Sequence, residues 1–385
     1  MPSRPRSSKI SNLPRADCCR RHECQDQKVK HVTDRVFNMP ELPEVQRAVN
    51  LLNRIVRGRT ITNVETVEDD IVFAGITHQD FAKELAGRLV ENAERYGKLF
   101  WLNLSGPGRS PVLHFGMTGM LQVKGQIAAY YKETPKTAST DWPPRFMKFI
   151  LHLSDGAQIA YLDPRRLGRV RLCHTPASRT EPPLSDLGFD PILSMLDLDD
   201  FGQRVLARTS PIKALLLDQK FSAGVGNWVA DEILYHARVH PEQRSNTLSR
   251  EQLVALHHQT ANVCKTAVAV DADDTKFPED WLFRHRWGKG KKEASTLKLP
   301  TGEPATIKWI TVGGRTSAFV QELQKLPGAQ IAKAGPGPRK KRKAKAEEED
   351  SADESDLAAQ DEMKSTRKKP RVGSKGKRPP AAAAS

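Results

Sequence analysis

The spacing of apolar residues changes character three times along the chain. Val45, Val49, Leu52 and Val56 recur at intervals of four, three and four, with Pro40 and Pro43 ahead of them and Gly58 behind. That spacing predicts one amphipathic helix, opened by proline in its first turn and by Glu44 at the positive end of its dipole. From about 60 to 176 the pattern shortens to strand-like runs at 99–104, 112–115, 146–153 and 159–162. Gly87, Gly106, Gly125 and the turn Ser154-Asp155-Gly156 separate them. Several short strands after one long helix predict a β-sandwich with that helix packed on it. Residues 177–190, with Pro182-Pro183, read as a linker. Beyond it the period is helical at 201–207, 211–217, 228–235 and 250–269. Residues 306–312 and 316–320 then flank Gly313-Gly314 as a hairpin. The expected class is α+β: a sandwich domain at 39–176, a helix-two-turn-helix domain at 191–290 and a hairpin unit at 291–330.

Charge narrows the partner. The 385 residues hold 61 Lys and Arg against 46 Asp and Glu, a net charge of +15, which points to a polyanion and most simply to nucleic acid. No apolar run approaches the roughly 18 residues that a membrane span needs, so no membrane partner is expected. The five cysteines, Cys18, Cys19, Cys24, Cys173 and Cys264, form no CxxC pair, which argues against a disulfide framework and a four-cysteine zinc site. Cys18, Cys19, His22 and Cys24 fit no standard zinc knuckle. Neither a metal nor a cofactor is expected, and the chain is expected to be a monomer. Residues 1–38 are polar and irregular and carry no secretory apolar core; their arginines suit a transit peptide, but Asp17, Glu23, Asp26 and Asp34 oppose one. Residues 331–385 hold 15 basic and 9 acidic residues, +6 of the total, and read as a disordered tail. Lys340-Lys341-Arg342-Lys343 within it reads as a nuclear address, with a mitochondrial fraction as the alternative.

The chemistry centres on Met39-Pro40-Glu41-Leu42-Pro43-Glu44-Val45. If residues 1–39 are absent from the mature protein, Pro40 is left with a free secondary amine. An α-amino group has a pKa of roughly 8 against about 10.4 for lysine, so more of it is unprotonated at neutral pH. On attacking a sugar aldehyde carbon, a secondary amine gives an iminium with no N–H to lose, a lasting electron sink for elimination. Glu41 beside it is placed to carry protons to and from a sugar oxygen.

That string resembles the amino terminus of the formamidopyrimidine-DNA glycosylase family, bifunctional base-excision repair enzymes, and later segments continue the resemblance over about 39 to 327. It implies damaged double-stranded DNA as partner and catalytic roles for Pro40, Glu41, Lys98 in Arg95-Tyr96-Gly97-Lys98, and Arg315 in Gly313-Gly314-Arg315. It assigns DNA contacts to His114 and Met117 in His114-Phe115-Gly116-Met117-Thr118-Gly119, and to Arg165 and Arg166 in Asp163-Pro164-Arg165-Arg166-Leu167-Gly168. Lys213 and Asn227, the latter in Gly224-Val225-Gly226-Asn227, take further DNA-binding positions, and Glu44 and Glu232 the base pocket. Bacterial members hold the hairpin with four cysteines; here no cysteine follows Cys264, so the resemblance is to members with a metal-free, zincless finger. Two other departures are Leu167, where bacterial members carry phenylalanine, and the ten residues between Val270 and Trp281, too few to fold over a flipped 8-oxoguanine.

The resemblance implies removal of oxidised bases, formamidopyrimidines and hydantoins, followed by strand cleavage through β,δ-elimination. Two alternatives stay open: a DNA-binding protein of the same fold that has lost the reaction, and a Nei-like glycosylase preferring oxidised pyrimidines.

Overall fold

The computed structural model describes residues 40–128, 140–289 and 296–328. Met39, the leader 1–38 and the tail 331–385 with its basic blocks lie outside the described residues.

Helix α1 (Leu42–Ile55) opens the described chain, and Glu44 reaches back from its first turn to the amide of Glu41 at 3.0 Å. Two antiparallel sheets follow. The strands β1 (Ile61–Thr66), β2 (Val90–Tyr96), β3 (Leu99–Leu104), β4 (Ser110–His114), β5 (Met120–Val123), β6 (Met147–Leu153), β7 (Gln158–Leu162) and β8 (Arg169–Cys173) assemble in the orders β1-β6-β7-β5 and β2-β3-β4-β8. The expected sandwich is present, with a short helix α2 (His78–Leu85) as an addition. Val45, Val49 and Leu52 of α1 enter the same core as Phe100, Phe115, Phe149 and Tyr161, each burial worth about 1.5–3 kcal/mol. Within that core Tyr161 stacks between Phe115 and Phe149, at 5.9 and 5.4 Å between ring centres, and its hydroxyl donates to the His114 carbonyl at 2.9 Å. The aromatic core therefore fixes the loop that leaves β4.

The segment expected as a linker is ordered. It makes 3-10 turns at Pro176–Ser178 and Leu184–Asp186, and the Tyr96 hydroxyl donates to the Gly188 carbonyl at 2.9 Å. Helices α3 (Leu198–Leu206), α4 (Ile212–Leu217), α5 (Asn227–Ala237) and α6 (Arg250–Ala269) then build a second core around Trp228, Ile233, Leu256 and Val263. Leu42 belongs to this second core although its helix packs on the sandwich, so α1 joins the two cores at its first turn. A third cluster seats the hairpin of β9 (Ile307–Val312) and β10 (Arg315–Val320) against Tyr235 and Leu282. Among the described residues no helix is long and apolar enough to cross a membrane.

Candidate active site and nucleic-acid interface

The first turn of α1 meets the start of α5. The Leu42 amide donates to the Gly224 carbonyl at 3.0 Å, which brings the side chain of Glu41, fully buried, against the next residues of the glycine turn. The Glu41 carboxylate accepts the amide N–H groups of Trp228 and Val229 at 2.9 and 3.0 Å, two donors that α5 itself leaves without partners. A Cβ at position 226 would lie 2.3 Å from the Glu41 carboxyl carbon, so this approach requires glycine there. Pro40, buried, directly precedes Glu41. Burial raises the Glu41 carboxyl above the ordinary range, opposed by the positive charge of Lys98 and by the two N–H groups. Burial and the neighbouring Glu41 carboxyl push Glu44 up to about 8.

Lys98 lies in the tight turn between β2 and β3, preceded by Gly97 at φ +59°. A Cβ on Gly97 would fall 2.8 Å from that of Ala223, so this turn and the glycine turn touch through their backbones. Asp190 fixes the turn from the far side, accepting from the Gly97 amide at 2.9 Å and pairing with Arg95. Pro40, Glu41 and Lys98 thus converge from two chain segments upon the start of α5.

The two loops 114–119 and 163–168 share one anchor. The buried carboxylate of Asp163 accepts the Thr118 hydroxyl at 2.9 Å, the Gly168 amide at 2.7 Å and the Arg165 amide at 3.3 Å. His114 Nδ1 accepts the Gly116 amide at 3.1 Å, which places the proton of a neutral ring on Nε2. Met117 is half-buried and Arg165 is exposed. Arg166 is clamped instead: its Nη2 and Nε donate to Asp69 at 3.0 to 3.1 Å, beside Lys148 Nζ at 2.7 Å. Burial alone would raise the Asp69 carboxyl, but the Arg166 and Lys148 hydrogen bonds hold it down at about 2.

Asn227, half-buried at the first position of α5, accepts from Lys213 Nζ at 2.6 Å. Lys213 has no accessible surface; it pairs with Asp231 at 2.7 Å and donates to the Thr316 carbonyl at 3.2 Å. The other Asp231 oxygen takes Arg286 Nη2 at 2.6 Å and the Ala318 amide at 3.1 Å. One carboxylate therefore ties α5, α4 and strand β10, on which Arg315 sits half-buried.

The structure gathers Pro40, Glu41, Glu44 and Lys98 at one place, His114, Met117, Arg165 and Arg166 at a second, and Asn227 with the Arg315 strand at a third. Two expected residues lie in the interior. Lys213 is sealed from solvent and donates to Asn227 and to the Thr316 carbonyl of the hairpin. Glu232 is fully buried, accepts the amides of Leu282 and Phe283 at 3.0 and 2.8 Å, and stands 2.9 Å from His236. Sequence reasoning missed Asp69, Asp163, Asp190 and Asp231. A signal existed only for Asp231, since two adjacent carboxylates within the apolar run 228–235 demand buried partners. Among the described residues no group of three or more His, Cys, Asp or Glu is placed to hold a metal.

This geometry can be set beside known proteins. The formamidopyrimidine-DNA glycosylase N-terminal domain matches residues 39–170, and the formamidopyrimidine-DNA glycosylase H2TH domain matches residues 187–279. A formamidopyrimidine-DNA glycosylase of Arabidopsis thaliana is 40% identical over 296 residues, 77% of this chain and 73% of the relative. One of Bacillus subtilis is 29% identical over 292 residues, 74% of this chain and 99% of the relative. The fold is similar to that of the Lactococcus lactis enzyme crystallised on DNA containing an abasic site, with a TM-score of 0.60 and 23% identity over 74% of this chain and 99% of that one. With both domain models in order and a relative of that identity spanning them, the chain belongs to the formamidopyrimidine-DNA glycosylase family.

Proposed function

We propose that the chain removes oxidised bases from double-stranded DNA and then cleaves the strand, with Pro40 as nucleophile. Residues 1–39 are removed to free its nitrogen, because an amide nitrogen is not nucleophilic. The Pro40 nitrogen attacks C1′ of the damaged nucleotide as the bond from C1′ to the base breaks, and the base leaves with its electron pair and a proton. Glu41 protonates the ring oxygen as the sugar opens, which gives a cationic iminium between Pro40 and C1′. Loss of a C2′ proton expels the 3′ phosphate, and a second elimination expels the 5′ phosphate. Lys98 assists the first of these and Arg315 the second, each close to a phosphate oxygen.

The observation that carries this reading is the setting of Glu41. A carboxyl that is fully buried, raised above its ordinary range, held on a helix N-terminus and adjacent in sequence to Pro40 is suited to exchange protons with a sugar oxygen. His114, Met117, Arg165 and Arg166 form the face that receives the opened duplex, and Asn227 offers a helix start to a backbone phosphate. The hairpin works without metal, since residues 291–330 contain neither Cys nor His and its apolar cluster and Asp231 secure it. Lys340-Lys341-Arg342-Lys343 directs the protein to the nucleus.

Borohydride reduction tests the reaction, because only an iminium is converted to a stable protein–DNA adduct. An adduct on lesion-containing duplex supports the reading. DNA binding without any adduct, from a chain beginning at Pro40, overturns it in favour of a binding protein that has lost the reaction. The observation behind that second reading is that Pro40 follows Met39 in an uninterrupted chain.

A further inference from the structure

The strongest unexplained feature outside the catalytic machinery is Phe146. It is the residue before β6, whose first residue, Met147, pairs with Leu162 at the end of β7. Its carbonyl accepts the backbone amide of Asp163 at 3.0 Å, the residue whose carboxylate anchors the loops 114–119 and 163–168. Its backbone is left-handed, at φ +66°. That conformation costs energy for any bulky side chain and is normally left to glycine or asparagine. The strain secures no core contact, because the ring is 46% exposed while the neighbouring Trp142 and Met147 pack inward.

The surroundings are cationic. The Arg145 guanidinium lies 4.5 Å from the centre of the Phe146 ring. Two residues on, Lys148 meets Arg166 on the Asp69 carboxylate, and Arg165 is exposed on the adjoining loop. An aromatic face held outward at a conformational cost, among fixed positive charges, suits one class of ligand: a nucleotide, with a π-face for the ring and a phosphate for the arginines.

We infer that Phe146 stacks on a nucleotide of the DNA strand laid open beside the loops 114–119 and 163–168, and so selects duplexes with a broken base stack. This rests on the reading of that face as the damaged-duplex interface. An intact duplex buries its base faces, so the contact forms only where a base is missing or extruded.

The test compares the full chain with Phe146→Gly, Phe146→Asn and Phe146→Trp, binding a duplex that carries a stable abasic-site analogue and the same duplex intact. Glycine and asparagine tolerate the left-handed backbone, so both variants should melt at or above the wild-type temperature. Each should lose about 10-fold in affinity for the abasic-analogue duplex. Affinity for the intact duplex and the salt slope should stay as in wild type, since no phosphate contact is removed, and Phe146→Trp should restore discrimination. Wild-type discrimination together with undiminished discrimination by Phe146→Gly and Phe146→Asn would overturn this inference alone. A wild-type chain that binds both duplexes equally would overturn the reading of the face, and this inference with it. Lower melting temperatures in both variants would show that the ring serves the fold and would overturn the inference too.

Discussion

The Glu41 carboxylate caps a helix that is not its own: it accepts the amide of Trp228, 187 residues further on, at 2.9 Å. The group proposed to move protons is thereby also a fastening between α1 and α5. Glutamine keeps an acceptor oxygen for one of the two α5 amides that the carboxylate takes on its separate oxygens, but it cannot exchange the proton. Glu41→Gln should bind an abasic-analogue duplex much as wild type does, yet lose about 100-fold or more in single-turnover base release. Near-normal base release by Glu41→Gln would remove the proton role and leave only the fastening.

Glu44 gives the stability a pH dependence opposite to that of most carboxylates. Its folded pKa, pushed up to about 8 by burial and by Glu41, stands above the roughly 4.3 of an unfolded chain. The folded state therefore holds a proton that the unfolded state has released. The associated stability is complete below the unfolded value and is lost as pH rises through about 8. Chemical denaturation between pH 6 and 9 should show stability falling, and Glu44→Gln should flatten the fall while keeping the reach to the Glu41 amide. An identical slope in Glu44→Gln would contradict this assignment.

Asp231 is the pivot of the finger. Asp231→Asn leaves Lys213, whose pKa is lowered chiefly by burial, without its balancing charge and weakens the pairing with Arg286. Removing one member of a buried ion pair costs about 3–5 kcal/mol, measurable by denaturant titration. Chelators should leave wild-type unfolding and strand cleavage unchanged, whereas stoichiometric zinc in the purified protein would contradict a hairpin held by Asp231 and apolar packing.

The helices were the most legible part of the fold, because α1 and α3 to α6 repeat their apolar residues at helical spacing. Helix α2 escaped notice since its eight residues bury only Phe81 and Leu85. Strand β2 did so because Val90–Tyr96 carries Glu91, Glu94 and Arg95, and Arg95 is buried through Asp190 and Gln46 on distant segments. The site divides in the same way. Pro40, Glu41, Lys98 and Asn227 stand in short strings with a chemical reading of their own. Asp69, Asp163 and Asp190 act through partners that only the folded chain brings near. Glu232 shows both sides: His236 stands four residues on at helical spacing, whereas the amides of Leu282 and Phe283 that it accepts are 50 and 51 residues away.

Lesion preference should follow from the short connection after α6. There Phe277 and Trp281 turn inward onto Trp228, at 5.6 and 6.4 Å between ring centres, which leaves little chain to cover an extruded purine. Ring-opened formamidopyrimidines and distorting hydantoins stack poorly, so their extrusion costs less and needs less cover. Single-turnover excision on matched duplexes should be efficient for these and for abasic sites, and slow for 8-oxoguanine opposite cytosine. An 8-oxoguanine rate at or above the hydantoin rate would show that another part of the chain covers the base.

The central claim is that the Pro40 nitrogen is the nucleophile, and one measurement addresses it most directly. A chain beginning at Pro40 and the intact 385-residue chain, both verified by mass spectrometry, are each incubated with abasic DNA and borohydride. The adduct is digested and the modified residue identified. The account predicts an adduct on the Pro40 nitrogen in the shorter chain and none in the intact one. Equal trapping by both chains, or an adduct on Lys98, would contradict it.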